Sequence, residues 1–196
     1  MKRWLGHTLM AVALIAVANS AAMAQKDSKS SLDCRDSWWD GGRLENRCEV
    51  REQTLAAGGT ITVDAGQNGG IAIAEVNGRI EFNCVNGGVV LRRVGGSVHG
   101  GTTNGGLVVE LAGNHWDGEE LDVRTTNGGV IMSVPENYSA HLETGTVNGN
   151  VSVDFPVTVQ GRITRELSVN LGSGGATVRA MTTNGGVRLR RTVTNE

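Results

Sequence analysis

Thr125-Thr126-Asn127-Gly128-Gly129-Val130-Ile131-Met132 is one copy of a unit that returns along most of this chain. Its Asn-Gly pair recurs at Asn68, Asn77, Asn86, Asn104, Asn127, Asn148 and Asn184. Gly95-Gly96 falls where the nine-residue beat from Asn86 places another corner. Later intervals are 23, 21 and 36 residues, the last being twice eighteen. Two nine-residue steps therefore make a repeat of about eighteen residues with insertions, and a repeat of fixed period decides architecture before any local feature does.

Residues after each corner alternate apolar with other types: Ile71 and Ile73, Val89 and Leu91, Leu107 and Val109, Val130 and Met132, Val151 and Val153, Val187 and Leu189. The same alternation precedes the corners, as in Ile80, Phe82, Cys84 and Leu121, Val123, Thr125. Period two means strands with one buried face. Asn-Gly suits a bend with positive φ and is also the strongest two-residue hairpin signal. The fixed full-turn period favours stacking over a meander, because it returns each Asn above the last. The expected fold is all-β, a single right-handed parallel β-helix of about eighteen residues per turn, the hand following the crossover rule. Asn68, Asn86, Asn104, Asn127, Asn148 and Asn184 would then form a side-chain ladder. Cys84 takes the column held elsewhere by Thr102, Thr125, Thr146 and Thr182, which predicts an inward, unreactive thiol.

These units, the stretch Asp154-Phe155-Pro156-Val157-Thr158-Val159-Gln160-Gly161 and the closing Thr183-Asn184-Gly185-Gly186-Val187-Arg188-Leu189-Arg190 resemble a bacterial adhesin β-helix family of unknown function. The resemblance covers nearly all the chain past Gly58. It implies a parallel β-helix in the cell envelope and supplies no catalytic residues. The first repeat, Thr60 to Gly70, departs from the pattern by one extra residue before its corner.

Lys2 and Arg3, the apolar run from Leu9 to Val17 and Ala22-Met23-Ala24 read as an export leader cut after Ala24. That run is shorter than the roughly 20 residues a membrane span needs. The chain divides into a leader (1–24), a polar lead-in and capping segment (25–57) and the repeat domain (58–196). The expected location is periplasmic or extracellular in a Gram-negative bacterium. In an oxidising compartment Cys34 and Cys48 would close the polar loop that carries Trp38 and Trp39.

Without Lys2 and Arg3, 16 basic residues face 20 acidic ones, a net charge of −4 that speaks against a nucleic-acid partner. Glu110 to Asp154 holds eight acids and one base, whereas Arg162 to Arg191 holds six Arg and one acid, so one end should be acidic and the other basic. Arg188, Arg190 and Arg191 on the final strand would repel a second copy, which favours a monomer.

Catalysis by a polysaccharide lyase or hydrolase is the rival reading. It needs paired carboxylates on an exposed face. Asp117 with Glu119 and Glu120, and Asp122 with Arg124, offer such pairs in or beside an insertion. His99, His115 and His141 lack ligand spacing, no calcium-turn or phosphate-loop motif occurs, and neither metal nor cofactor is expected. Ice binding needs paired Thr columns, and of the residues four before each corner, Asp64, Phe82, Gly100, Val123, Thr144 and Ala180, only Thr144 fits. The expected function is a non-catalytic, adhesin-like binding or structural module whose partner is an envelope or surface protein or glycan. Its candidate binding loop is His115, Trp116 and Asp117, where Trp116 either meets a partner or covers the core.

Overall fold

A computed structural model describes residues 59–157 and 165–192, together with the backbone of residues 9–17 and 47–55. Fifteen strands and no helix occur among them. They are β1 (Leu9–Val17), β2 (Arg47–Leu55), β3 (Thr60–Asp64), β4 (Ile71–Ala74), β5 (Asn77–Asn86), β6 (Val89–Arg92), β7 (Gly95–Asn104) and β8 (Leu107–Glu110). After the insertion follow β9 (Glu120–Asn127), β10 (Val130–Val134), β11 (Ala140–Asn148), β12 (Val151–Val153), β13 (Glu166–Leu171), β14 (Thr177–Asn184) and β15 (Val187–Arg191).

From β3 to β12 successive strands belong alternately to two sheets. One has eight strands in the order β12-β15-β10-β8-β6-β4-β1-β2, the other seven in the order β13-β11-β14-β9-β7-β5-β3. Every pairing but one is parallel. The Asn-Gly sites join strands of different sheets, so they are corners and not hairpin turns. Between β4 and β8, and between β5 and β7, paired residues are eighteen apart, as Ile71↔Val89↔Leu107 and Ile80↔Val98 show. The extra residue of the first repeat is taken up around Gly66, at φ 63°: the offset is nineteen at Thr60↔Arg79 and eighteen at Asn68↔Asn86.

Alternation makes like residues stack. Ile71, Val89, Leu107, Val130 and Val187 form one inward column of the larger sheet, and Ile80, Val98, Leu121, Val178 and Leu142 one of the smaller, all buried in a single cluster. Apolar area removed from water stabilises by about 25 cal/mol per Å². A register slip of one residue would turn each column to solvent.

Three expectations are corrected by the strand order. The repeats do not stack in chain order, because β14 lies between β9 and β11, and β15 between β10 and β12. The 36-residue interval from Asn148 to Asn184 therefore holds no additional repeat between them. It holds β13, which pairs antiparallel with β11 and buries Leu167, Val169 and Leu171. Consequently the Arg-bearing β15 is an inner strand and not an edge.

The acidic and basic stretches of sequence are interleaved instead of forming opposite ends. Arg179 on β14 sits between Asp122 on β9 and Glu143 on β11, in contact with both carboxylates. Leu9–Val17, the core of the expected leader, is a strand between β4 and β2. The capping segment before Arg47, Cys34 included, lies outside the described residues.

Corner glycines are required by stacking more than by backbone angle. The first Gly after each ladder Asn has a negative φ except Gly185 (157°). A Cβ on Gly87, Gly105 or Gly128 would stand 1.9 to 2.0 Å from the carbonyl oxygen of Gly69, Gly87 or Gly105 beneath it. That is far inside any real contact, and the obstacle is backbone that cannot rotate away. The second Gly is freer, since a Cβ on Gly88 would meet Gly106 O at 3.6 Å. Gly128→Ala should thus cost about 1–3 kcal/mol as an overpacking change, while Gly88→Ala should stay within about 0.5 kcal/mol. Urea denaturation of the two variants checks this pair, and equal losses would refute the stacking account.

Candidate functional site

Stacked corners carry two hydrogen-bonded columns, one facing out and one facing in. The outward one is the Asn ladder. Asn86 Nδ2 donates to Asn68 Oδ1 at 3.2 Å, Asn104 to Asn86 at 2.7 Å, Asn127 to Asn104 at 2.8 Å, Asn184 to Asn127 at 2.8 Å and Asn148 to Asn184 at 2.7 Å. All five donors point their amides the same way. The last two are exchanged relative to chain order, and the ladder is solvent-accessible, with Asn104, Asn127, Asn148 and Asn184 exposed.

The inward column is Cys84, Thr102, Thr125, Thr182 and Thr146, all buried. Each side chain donates to the carbonyl of a corner glycine in the adjacent repeat: Cys84 to Gly69, Thr102 to Gly87, Thr125 to Gly105, Thr182 to Gly128 and Thr146 to Gly185, at 2.7 to 2.9 Å. The sequence shows the column but not what it bonds to. Cys84 is free, and burial pushes its thiol above the ordinary range, outweighing a contact with Thr102 that lowers it. A thiol kept protonated is a poor nucleophile. Cys34 and the Cys48 side chain lie outside the described residues.

An exposed amide freed of its partner turns to water, whereas the half-buried Gly105 carbonyl is less free to do so. Thr125→Val should therefore cost about 1–3 kcal/mol, and Asn127→Ala only about 0.5–1.5 kcal/mol despite breaking two bonds. Thermal denaturation of both variants gives the comparison. A larger loss for Asn127→Ala would mean that the outer ladder is the principal staple.

The insertion between β8 and β9 builds a groove of about 530 Å³ against the other line of corners. Glu75 and Arg93, eighteen residues apart, both hold left-handed backbone at φ 58° and 49° and form an ion pair on its rim. Such a conformation costs a non-glycine residue about 1–3 kcal/mol and persists only where the surroundings enforce it. The insertion is bolted down. Asp117 accepts from Asn77 Nδ2 at 2.6 Å, its carbonyl accepts from Gly96 N at 2.6 Å, and Asn114 O accepts from Ser139 N at 2.7 Å.

Trp116 points into the core with 4% exposure, its indole Nε1 donating to Gly96 O at 3.1 Å. Tyr138, also lining the groove, is 2% exposed, and burial pushes its phenol well above the usual range. Neither ring offers a face to a sugar. His115 and Asp117 remain exposed, with His115 Nδ1 2.7 Å from Asn114 Oδ1. What the groove can do is accept and donate hydrogen bonds and pair charges.

A second polar surface covers the outside of the seven-stranded sheet. One outward rank runs Glu81, His99, Asp122, Arg179, Glu143 across five neighbouring strands. Arg124 grips Asp122 through two bonds at 2.9 and 3.1 Å, and His141 Nε2 lies 3.1 Å from Glu143. The hydrogen bond from Arg179 holds the Glu143 carboxyl below its usual range. Of the four acids proposed as catalytic partners, Asp117 and Asp122 hold structural contacts and Glu120 lies 3.5 Å from His99 Nε2. Among the described residues no three His, Cys, Asp or Glu side chains cluster as metal ligands. The chain matches no protein-family model, no curated protein and no solved structure.

Truncating Trp116 removes a buried aromatic and an indole bond together. Trp116→Ala should lower stability by about 3–5 kcal/mol. Guanidinium unfolding measures it, and a loss below 1 kcal/mol, on the order of a surface substitution, would show that the ring spends its time outside the core.

Proposed function

We propose that this chain is an exported, non-catalytic binding module of the adhesin β-helix type, engaging an envelope protein or glycan through the groove beside His115 and Asp117. The proposal includes the finer architecture, in which the two sheets are the faces of one right-handed parallel β-solenoid. Alternation of strands between sheets, the eighteen-residue register and the shared core support that reading. Leader removal after Ala24 would take β1 away and leave the edge of β4 to the capping segment.

One observation carries the binding assignment. The insertion that breaks the repeat is held by hydrogen bonds to Asn77, Gly96 and Ser139, beside the left-handed, charged Glu75 and Arg93, so a polar groove is fixed in shape before any ligand arrives. Pre-organisation of this kind spares the ordering cost that weakens flexible sites. Rigid walls with Glu75, Asp117, Arg93 and His115 suit a ligand bearing hydroxyls, amides or a mixture of charges.

The test uses the full chain expressed in a Gram-negative host. Fractionation should recover a product beginning at Gln25 outside the cytoplasm. A His115→Ala, Glu75→Lys variant should lose at least about tenfold in association with envelope extract, or 1.4 kcal/mol, while its melting temperature stays unchanged. Undiminished association would exclude the groove, and recovery of uncut protein in the cytoplasm would exclude export.

A further inference from the structure

The chain contains seven Asn-Gly pairs, the sequence in which an Asn side chain is most open to attack by the next backbone nitrogen, because glycine offers no hindrance. Exposure class does not separate them, since Asn104, Asn127 and Asn184 are exposed along with Asn148. Hydrogen bonding does. In five ladder positions the amide of the following glycine donates to the Asn carbonyl of the next rung: Gly69 to Asn86, Gly87 to Asn104, Gly105 to Asn127, Gly128 to Asn184 and Gly185 to Asn148, at 2.9 to 3.1 Å. The side-chain amides of Asn86, Asn104, Asn127 and Asn184 are held on both sides, donating to one rung and accepting from another. Asn68 still accepts from Asn86, and Asn77 is locked within β5 with its amide on Asp117.

Asn148 is the end of the stack. Its Nδ2 donates to Asn184, but among the described residues nothing donates to its Oδ1 and the Gly149 amide has no acceptor. Among the described residues the strand beyond β11 is β13, which carries no Asn-Gly corner, so no further rung stacks on Asn148.

We propose that Asn148-Gly149 is a site of spontaneous deamidation and that stacking protects the other ladder pairs. The Gly149 nitrogen, its proton taken by hydroxide, bonds to Cγ of Asn148. The Cγ–Nδ2 bond breaks, the departing amide takes up a proton, and ammonia leaves a five-membered succinimide. Water then adds to either succinimide carbonyl and opens the ring to aspartate or isoaspartate. Nothing is oxidised, and water is the sole co-reactant. In the inner rungs the same attack must first free a donated amide and rotate a side chain held at both ends, so it awaits local opening. The product replaces the Asn148 donor with a carboxylate facing Asn184 Oδ1, and the last rung is lost.

The full-length protein, incubated folded in mildly alkaline buffer, is sampled over time, digested and analysed by mass spectrometry for aspartate and isoaspartate at each Asn-Gly. A parallel sample is kept unfolded in urea. Asn148 should convert at least about tenfold faster than Asn86, Asn104, Asn127 or Asn184 in the folded protein, and the spread should collapse to a few-fold in urea. Conversion of an inner rung as fast as Asn148, or an Asn148 as inert as the inner rungs, overturns the proposal. So does a folded-state preference that persists unchanged in urea, which would trace the selectivity to local sequence alone.

Discussion

At five Asn-Gly corners, those of Gly87, Gly105, Gly128, Gly149 and Gly185, the glycine Cα faces the carbonyl oxygen of another corner glycine at a distance that leaves no room for a methyl group. This close approach sets the vertical register of the molecule. Strands in a sheet lie about 4.8 Å apart, and keeping that spacing through a tight bend requires the bends themselves to nest. Once Gly105 nests on Gly87, the Thr102 hydroxyl reaches the Gly87 carbonyl, Asn104 reaches Asn86, and Leu107 stands over Val89. A side chain at the nesting position would part the corners and strain all three contacts together. The glycines are therefore a constraint on packing, with backbone freedom a secondary matter.

Interleaving of the C-terminal strands has an electrostatic logic. Had the repeats stacked in chain order, β9 would lie beside β11, and Asp122 would face Glu143 across one strand spacing. Like charges directly opposite in a sheet are destabilising. With β14 between them, Arg179 supplies a cation to both, and the neighbouring Arg124 completes a line of alternating sign. Exposed pairs of this sort contribute little to stability individually, about 0–1 kcal/mol. Their weight here is in selecting one strand order over another, where only the difference between arrangements counts. On the eight-stranded sheet the same insertion puts Arg190 against Ser133 and stacks Arg191 4.2 Å from the Phe155 ring centroid. Such an order makes the pairings of β14 and β15 long-range in sequence, and long-range pairing of this kind is slow to form.

Strand class, corner positions and the inward column were legible because each depends on residues near in sequence. Alternation at Ile80, Phe82, Cys84 fixes a face, and Cys84 falls in a Thr column by counting alone. Neighbour order was not legible from the repeat, for a physical reason: one Thr-x-Asn-Gly-Gly unit stacks equally well on any other, so the pattern carries no address. The address lies in the outward residues, in the match of Arg179 to Asp122 and Glu143, and that signal was present as an acidic stretch followed by a basic one. It was read as two ends of a molecule when it marks two surfaces that meet. β13 left its own trace in Leu167, Val169 and Leu171, an alternation without a corner. At the groove the sequence located the insertion but could not orient Trp116, since an indole beside Gly118 can turn either way until its N–H donates to Gly96 O.

A division of labour between the two sides of each strand follows from these contacts. Inward-facing residues and corner glycines hold the repeats together through bonds that water cannot replace, so their identities are tightly restricted. Outward residues meet solvent, and most of their bonds can be exchanged for hydration at little cost. A surface built this way can change its chemistry position by position while the backbone beneath it stays in register. In such a scaffold a recognition site is expected where outward residues are nevertheless fixed. Asp117 and Asn77 are fixed by each other, Glu75 and Arg93 by an enforced left-handed backbone, and the insertion by its anchors at Gly96 and Ser139. The groove shares this fixity with the charged face, where Arg124 holds Asp122 and Arg179 holds Glu143, and differs from it in lying where an insertion breaks the repeat.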